Sequence, residues 1–274
     1  MTSFRQYWHV YLWRDVTSRL ITVCFLIWAV IGLLSLIDTP AAYTAVAWLA
    51  EPAVPAALLT RPWTVLTYMF VHVDFIHLII NMMWLMMFGR IMYHTEGGER
   101  TLAMYIYGGI AGALSFLAFN AAAGPTHSML LGASCAIIGL IGAITVAMPS
   151  LKVNLMFFGA VNVGWIGVLA ILFFVIMAPS TAESVAHAGG FAVGAAYGLL
   201  RRRGIDITRP MRHLLGYFHS PATAFSRRKP TTTNLRGTDA DVLDRLLEKV
   251  SRSGYRSLSS VERQTLFDLT QRMK

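Results

Sequence analysis

The sequence predicts an all-α polytopic membrane protein, and three observations carry that prediction. Hydrophobic residues make up 55% of the 274 residues and charged ones only 14%, against about 25% charged in a typical soluble domain. The mean hydropathy is +0.55. No Asp, Glu, Lys or Arg occurs from Thr101 through Leu151, a run of about 50 residues that holds two crossings of about 20 with a turn between them. The same composition excludes collagen-like and disordered chains. Both cysteines, Cys24 and Cys135, lie inside apolar runs, which speaks against a disulfide framework.

Each span follows from local punctuation. Leu20–Ile37 carries no charge and no A-x-A site follows it, so it reads as the first crossing rather than a cleaved signal peptide. Residues 38–62 are apolar but broken by Pro52 and Pro55, and read as a segment lying in or on the bilayer surface. A second helix is expected from about Phe75 to Ile91. The third is expected near 101–122, ended by Gly124-Pro125, and the fourth near 133–148, stopped by Pro149. The fifth is expected near 153–177 and the sixth near 184–200, ended by Arg201-Arg202-Arg203.

Charge sets orientation. Residues 1–200 balance to zero, and the whole net charge of +9 belongs to residues 201–274. The N-terminal segment, the loop with Arg90 and Arg100, the loop with Lys152 and the Arg triplet all carry basic residues. The two intervening loops carry none. Basic loops stay on the cytoplasmic side, so six crossings with both termini cytoplasmic are expected in the cell (inner) membrane; Arg61 is the one exception. The basic tail suits an anionic lipid surface, and no aromatic–basic interleaving points to nucleic acid. Four regions are expected: a cytoplasmic N-terminal segment 1–18, a six-helix membrane domain 19–200, a basic flexible linker 201–238, and a small cytoplasmic helical hairpin 239–274. In the hairpin, Val242, Leu243, Leu246, Leu247 and Val250 share one helix face, and Ser259-Ser260-Val261-Glu262 fits a capping box. A hairpin of that size needs something to dock on, and the sequence does not name that cytoplasmic partner.

Polar groups inside membrane helices are costly and mark function by default. His77 and Asn81 stand four apart on one helix face. Ser134 opens the fourth helix within Gly132-Ala133-Ser134-Cys135, and His187 lies in the sixth within Ala186-His187-Ala188-Gly189-Gly190. Singly, each has a packing role open to it. Together they supply an alcohol, a base and two side-chain donors from separate helices, which is the inventory of acyl transfer. Gly190, Gly194 and Gly198 make a smooth strip for close helix packing, able to bring His187 toward Ser134.

The ordered set His77-x-x-x-Asn81, Gly132-x-Ser134 and Ala186-His187-x-x-Gly190-x-x-x-Gly194, over roughly residues 19–200, resembles the rhomboid intramembrane serine proteases. The segment RPWTVLTYMFVHVDFIHLIINMMWLMMFG is similar to that family's first loop and second helix. The resemblance implies a rhomboid-like six-transmembrane-helix bundle that cleaves transmembrane segments of membrane proteins near the outer face. It implies Ser134 as nucleophile, His187 as base, and an oxyanion hole made of the Ser134 backbone N–H with His77 and Asn81. It implies no cofactor and no metal, transmembrane protein substrates as partners within the lipid bilayer, and a structural role for His72. Loss of one oxyanion donor commonly costs about 2.7–4 kcal/mol of transition-state stabilisation. The sequence departs from the family twice: Cys135 stands where a glycine follows the serine, and Ile138 where an aromatic lies against the histidine. The imidazole is therefore expected to lack a stacking partner.

Rival readings are an inactive rhomboid-like protein that binds membrane clients, and a b-type haem protein with His77 and His187 as axial ligands. The haem reading leaves Gly-x-Ser unexplained. No H-E-x-x-H stands for a metalloprotease, and no pair of mid-helix Asp for an aspartyl protease.

Overall fold

The computed structural model describes residues 15–125, 129–155, 159–218, 239–253 and 258–272. The chain forms two compact units, divided between residues 215 and 216.

In the first unit, α1 (Val16–Ile37) starts at Asp15, whose carboxylate accepts from the Thr17 N–H at 2.9 Å. Leu26, Val30, Leu33 and Leu36 are exposed along it, while Leu20, Cys24 and Ile31 are buried. A helix that exposes its apolar stripe is built for lipid rather than water. Asp38 ends α1 and caps α2 (Thr39–Leu49), accepting from the Ala41 N–H.

A helix end leaves its last carbonyls without partners, and three side chains meet those of α2. Arg61 donates to the Ala47 carbonyl at 2.6 Å, Trp63 to that of Trp48 at 2.9 Å, and Thr67 to that of Leu49 at 2.6 Å. The indoles of Trp48 and Trp63 stack at 5.8 Å. The surface segment is thereby held to the short helix α3 (Thr64–Thr67). The two-residue strand β1 (Glu51–Pro52) pairs antiparallel with β2 (Met129–Leu130), tying the same segment to the chain just before Ser134.

Next, α4 (Phe75–Trp84) begins at its cap Asp74 and passes through a π turn, Leu85–Gly89, into α5 (Arg90–Glu96). This span runs five residues past the expected end at Ile91. Gly97, at φ +92°, separates it from α6 (Gly98–Ala123), and Gly124 repeats that geometry at the far end. The central helix α7 (Ser134–Ala147) is buried from Ser134 to Ile144. It is followed by a hairpin, β3 (Lys152–Leu155) against β4 (Gly159–Asn162), then α8 (Val163–Ile176) and α9 (Thr181–Arg202).

Two expectations change here. Residues 152–155 and 159–162 pair as antiparallel strands instead of extending the fifth helix, with Lys152 opposite Asn162 and Leu155 opposite Gly159. Val153 and Val161, β-branched and directly opposite each other, suit a strand pair, and Gly159 adopts φ +67°. Second, residues 209–218 of the expected linker form a helix, α10 (Arg209–Phe218). The expectations for residues 1–14 and 219–238 lie outside the described residues.

Among the described residues, three helical segments are long and apolar enough to cross a membrane: Val16–Ile37, Phe75–Glu96 and Gly98–Ala123. Of the other expected spans, α7 and α8 have 14 residues each, about 21 Å of helix against a hydrocarbon core of about 30 Å. The shortfall of α7 has a cause in the fold: extended chain leads in, and the helix begins only at Ser134.

Small residues let α7 be wrapped tightly. In lipid, helices gain little from the hydrophobic effect and associate by close contact. A Cβ at Gly190 or Gly194 would collide with the carbonyls of Cys135 and Gly139, and one at Gly198 would lie 2.8 Å from that of Ala143. Thus three glycines of α9 rest on three carbonyls of α7 at the same four-residue spacing. Gly108 of α6 meets Gly139 at the same place: an added Cβ there would lie 3.1 Å from the Gly139 Cα, and one at Gly190 would lie 3.3 Å from the Gly108 carbonyl.

At the other end of the bundle, Glu96 accepts from Arg201 at 2.9 Å and from the Tyr197 hydroxyl at 3.1 Å. Asp206 accepts from Arg100 and Arg212, each at 2.9 Å, and Arg212 also reaches Glu99 at 3.0 Å.

The second unit holds α11 (Asp239–Ser253) and α12 (Ser260–Arg272) around Val242, Leu246, Leu258 and Leu269. The Ser259 hydroxyl accepts from the Glu262 N–H at 3.2 Å, and the Glu262 carboxylate accepts from the Ser259 N–H at 2.7 Å, a reciprocal capping box. Lys249 reaches the buried Glu262 carboxylate at 2.6 Å and joins the two helices.

Candidate active site

Ser134 is the first residue of α7, and its environment follows from the turn before it. Gly132 sits at φ +103°, and a Cβ there would lie 2.8 Å from the His77 ring. Both facts demand glycine. The Gly132 N–H donates to the Tyr68 carbonyl at 3.0 Å, and the Ala133 N–H to His72 Nε2 at 3.3 Å. Among the described residues the Ser134 N–H, the next in the turn, has no acceptor, as expected at a helix start. His72, fully buried, is thus a holder of this turn. Tyr68 and Tyr105 reinforce it: the Tyr68 hydroxyl donates to the Gly109 carbonyl at 2.7 Å, and that of Tyr105 to Met69 at 3.0 Å.

His187 comes from the second turn of α9. Its Nε2 lies 2.9 Å from Ser134 Oγ, across the interface where Gly190 and Gly194 allow close approach. Ser134 is 6% exposed and His187 5%. Among the described residues no carboxylate reaches His187 Nδ1 to orient the ring. Packing does so instead: the Phe174 ring of α8 meets it edge-on, centroids 5.8 Å apart at 69°. This corrects the expectation that Ile138 leaves the imidazole without an aromatic neighbour. The aromatic arrives from another helix, and Ile138 is buried in the core.

Asp74 accepts from the His77 N–H at 2.7 Å, and the His77 ring packs against His72 at 5.4 Å. Asn81 is fully buried. Its Nδ2 donates to the His77 carbonyl at 3.0 Å, which leaves one amide hydrogen to spare, and its Oδ1 has no partner among the described residues. Ser134, His187, His77 and Asn81 all line one cavity of 390 Å³, walled by Phe173, Phe174, Leu131 and Ile80. The sequence-predicted residues are therefore brought together. Sequence reasoning missed Phe174, because nothing marks it out within the apolar run Ile171–Ile176, and Tyr68, which bonds the turn through its main-chain carbonyl. It also missed Glu183, which lines the same cavity.

Cys135 faces away from the cavity. It is buried against Gly112 of α6, where an added Cβ would lie 2.5 Å from Cys135 Cβ and 2.8 Å from Sγ. The glycine absent beside the serine is thus offset by one on the neighbouring helix.

A buried alcohol–imidazole pair, a helix-start N–H and an amide donor surround one cavity, a set of groups of the kind acyl transfer uses. The family model of the Rhomboid domain matches residues 59–204, and the chain belongs to the rhomboid family, as an all-α membrane bundle. It is 28% identical over 152 residues to Rhomboid protein 1, mitochondrial, of Saccharomyces cerevisiae (strain ATCC 204508 / S288c). That match covers 52% of this chain and 43% of the yeast protein, so the chain spans less than half of that relative's length.

Proposed function

We propose that this chain is an intramembrane serine endopeptidase that cuts transmembrane segments of membrane proteins near the outer face. The observation that carries the reading is the 2.9 Å approach of His187 Nε2 to Ser134 Oγ. With its proton on Nδ1, the imidazole accepts the hydroxyl proton through Nε2 as Oγ attacks the scissile carbonyl. The oxyanion then takes hydrogen bonds from the Ser134 N–H, the spare amide hydrogen of Asn81 and His77. His187 passes its proton to the leaving amine, and water, activated by the same imidazole, hydrolyses the acyl-enzyme. A helical substrate keeps its carbonyls in internal bonds, so segments that unwind near the outer surface are preferred.

Basic residues on one set of loops support a multi-pass placement in the cell (inner) membrane with both termini cytoplasmic. In this reading residues 19–200 are the catalytic body, and the hairpin 239–274 is an accessory whose partner is open. The test is cleavage of a transmembrane substrate in reconstituted membranes. Ser134→Ala and His187→Ala each abolish it while keeping the wild-type melting profile; cleavage retained by either variant refutes the assigned pair.

A further inference from the structure

The cavity that holds Ser134 and His187 carries an electrostatic asymmetry that the proposed chemistry does not use. Two carboxylates line it, Asp74 and Glu183, and no lysine or arginine does. Neither carboxylate belongs to an ion pair among the described residues. Asp74 has a structural task, accepting from the His77 N–H. Glu183 shares the start of α9 with Ser180, whose Oγ accepts from the Glu183 N–H at 3.2 Å and whose side chain also bonds the carboxylate; that carboxylate still lines the cavity and has acceptor capacity left for a ligand. Glu183 stands four residues before His187 on α9, on the same helix face. Asp74 is exposed and Glu183 half-buried, whereas Ser134 and His187 are buried, so the carboxylates lie toward the opening and the reactive pair deeper. A second observation points to a ligand in the same space. Asn81, fully buried on the cavity wall, has an Oδ1 with no partner among the described residues.

We propose that this cavity selects extended segments bearing a lysine or arginine close to the scissile bond, with Glu183 as the specificity-determining counter-charge. The inference rests on reading the cavity as a peptide-cleaving site. Four residues of helix span about 6 Å, and an extended peptide advances about 3.3 Å per residue. A cation about two residues from the bond at Ser134 therefore comes level with Glu183. The walls contributed by Phe173, Phe174, Ile76 and Ile80 keep the local dielectric low, so the charge pair acts more strongly there than in water. An acidic residue at the same substrate position meets two carboxylates and no compensating cation.

The experiment measures binding apart from catalysis. The full-length Ser134→Ala chain, in uncharged detergent micelles, is titrated with fluorescent apolar peptides. The peptides are identical except for one central lysine, glutamine or glutamate. The lysine peptide is expected to bind at least tenfold more tightly than the glutamate peptide. Adding Glu183→Gln is expected to shrink that ratio to within threefold, and Glu183→Lys to invert it. Melting curves confirm that each variant is folded, and the neutral Glu183→Gln carries the test if Glu183→Lys does not fold. Equal affinity for the lysine and glutamate peptides, or a ratio indifferent to residue 183, overturns the proposal. Parallel labelling of the wild-type chain with a neutral fluorophosphonate separates the two readings. Lysine preference without labelling removes the protease reading and keeps the cation site; labelling without lysine preference does the reverse.

Discussion

Ser134 and His187 meet because each sits where its own helix geometry delivers it. Ser134 has the first unspent N–H of α7, since Tyr68 and His72 take the two before it. His187 has no carboxylate partner, and Phe174 sets its ring plane instead. These residues were legible in the sequence as candidates because a serine, a histidine and an asparagine are rare in apolar helices. The contact with Phe174 was not, since one phenylalanine among many apolar neighbours carries no signal until the helices are packed. Cys135 was visible as a departure, but its compensation by Gly112 depends on the register between α6 and α7. That contact makes a prediction for a double-mutant cycle. Gly112→Ala alone destabilises the protein by about 1–3 kcal/mol, the usual cost of overpacking. In a Cys135→Gly background the same change costs much less, because the colliding side chain is gone. Thermal unfolding in detergent reads both effects, and additive losses contradict the packing described. Cys135→Gly alone retains probe labelling; complete loss of labelling assigns the thiol a chemical role.

At the scale of elements, the α7–α9 contact organises the bundle. The spacing of Gly190, Gly194 and Gly198 announced a packing strip, and the strip lies on the carbonyls of Cys135, Gly139 and Ala143. What the sequence withheld was where helices begin and end. The run through Leu151 and beyond is apolar in helix and strand alike, and periodicity does not separate the two in short segments. Hence the β3–β4 hairpin was read as helix. Gly194→Ala drives a methyl group into the Gly139 carbonyl and separates α7 from α9 at the point that aligns His187 with Ser134. It is expected to lower the unfolding temperature and slow serine-probe labelling together. A variant as stable and as reactive as wild type would show that the helices do not need this approach.

For the membrane unit as a whole, polar clamps at the two ends hold the apolar middle in register. At one end the side chains of Arg61, Trp63 and Thr67 close the C-terminus of α2. At the other, Asp206 gathers Arg100 and Arg212 and so links α6 to the chain beyond α9. Burial works to raise the Asp206 carboxyl, but hydrogen bonds from Thr208 and Arg100 outweigh it and hold the group at about 2, below the ordinary value of about 3.9. A carboxyl depressed in the folded state contributes its full stability above the unfolded value and loses it as pH falls toward the folded one. Between about pH 4 and pH 2 the wild-type unfolding temperature is therefore expected to drop. Asp206→Asn, already lacking that contribution at neutral pH, is expected to show a lower temperature at pH 7 and a shallower acid fall. Parallel acid profiles for the two proteins would detach Asp206 from the clamp. The sequence supplied the clamp's charges but not their pairing, because Arg100 and Asp206 are 106 residues apart and meet only after α6 to α9 have packed.

The central claim is that a hydroxyl from α7 and an imidazole from α9 form one reactive pair. Fluorophosphonate labelling in native membranes tests it most directly, comparing wild type with Ser134→Ala and His187→Ala at equal expression. The account predicts a covalent label on wild type at Ser134 and none on either variant. A wild-type chain that stays unlabelled, or a His187→Ala chain labelled at the wild-type rate, would contradict it.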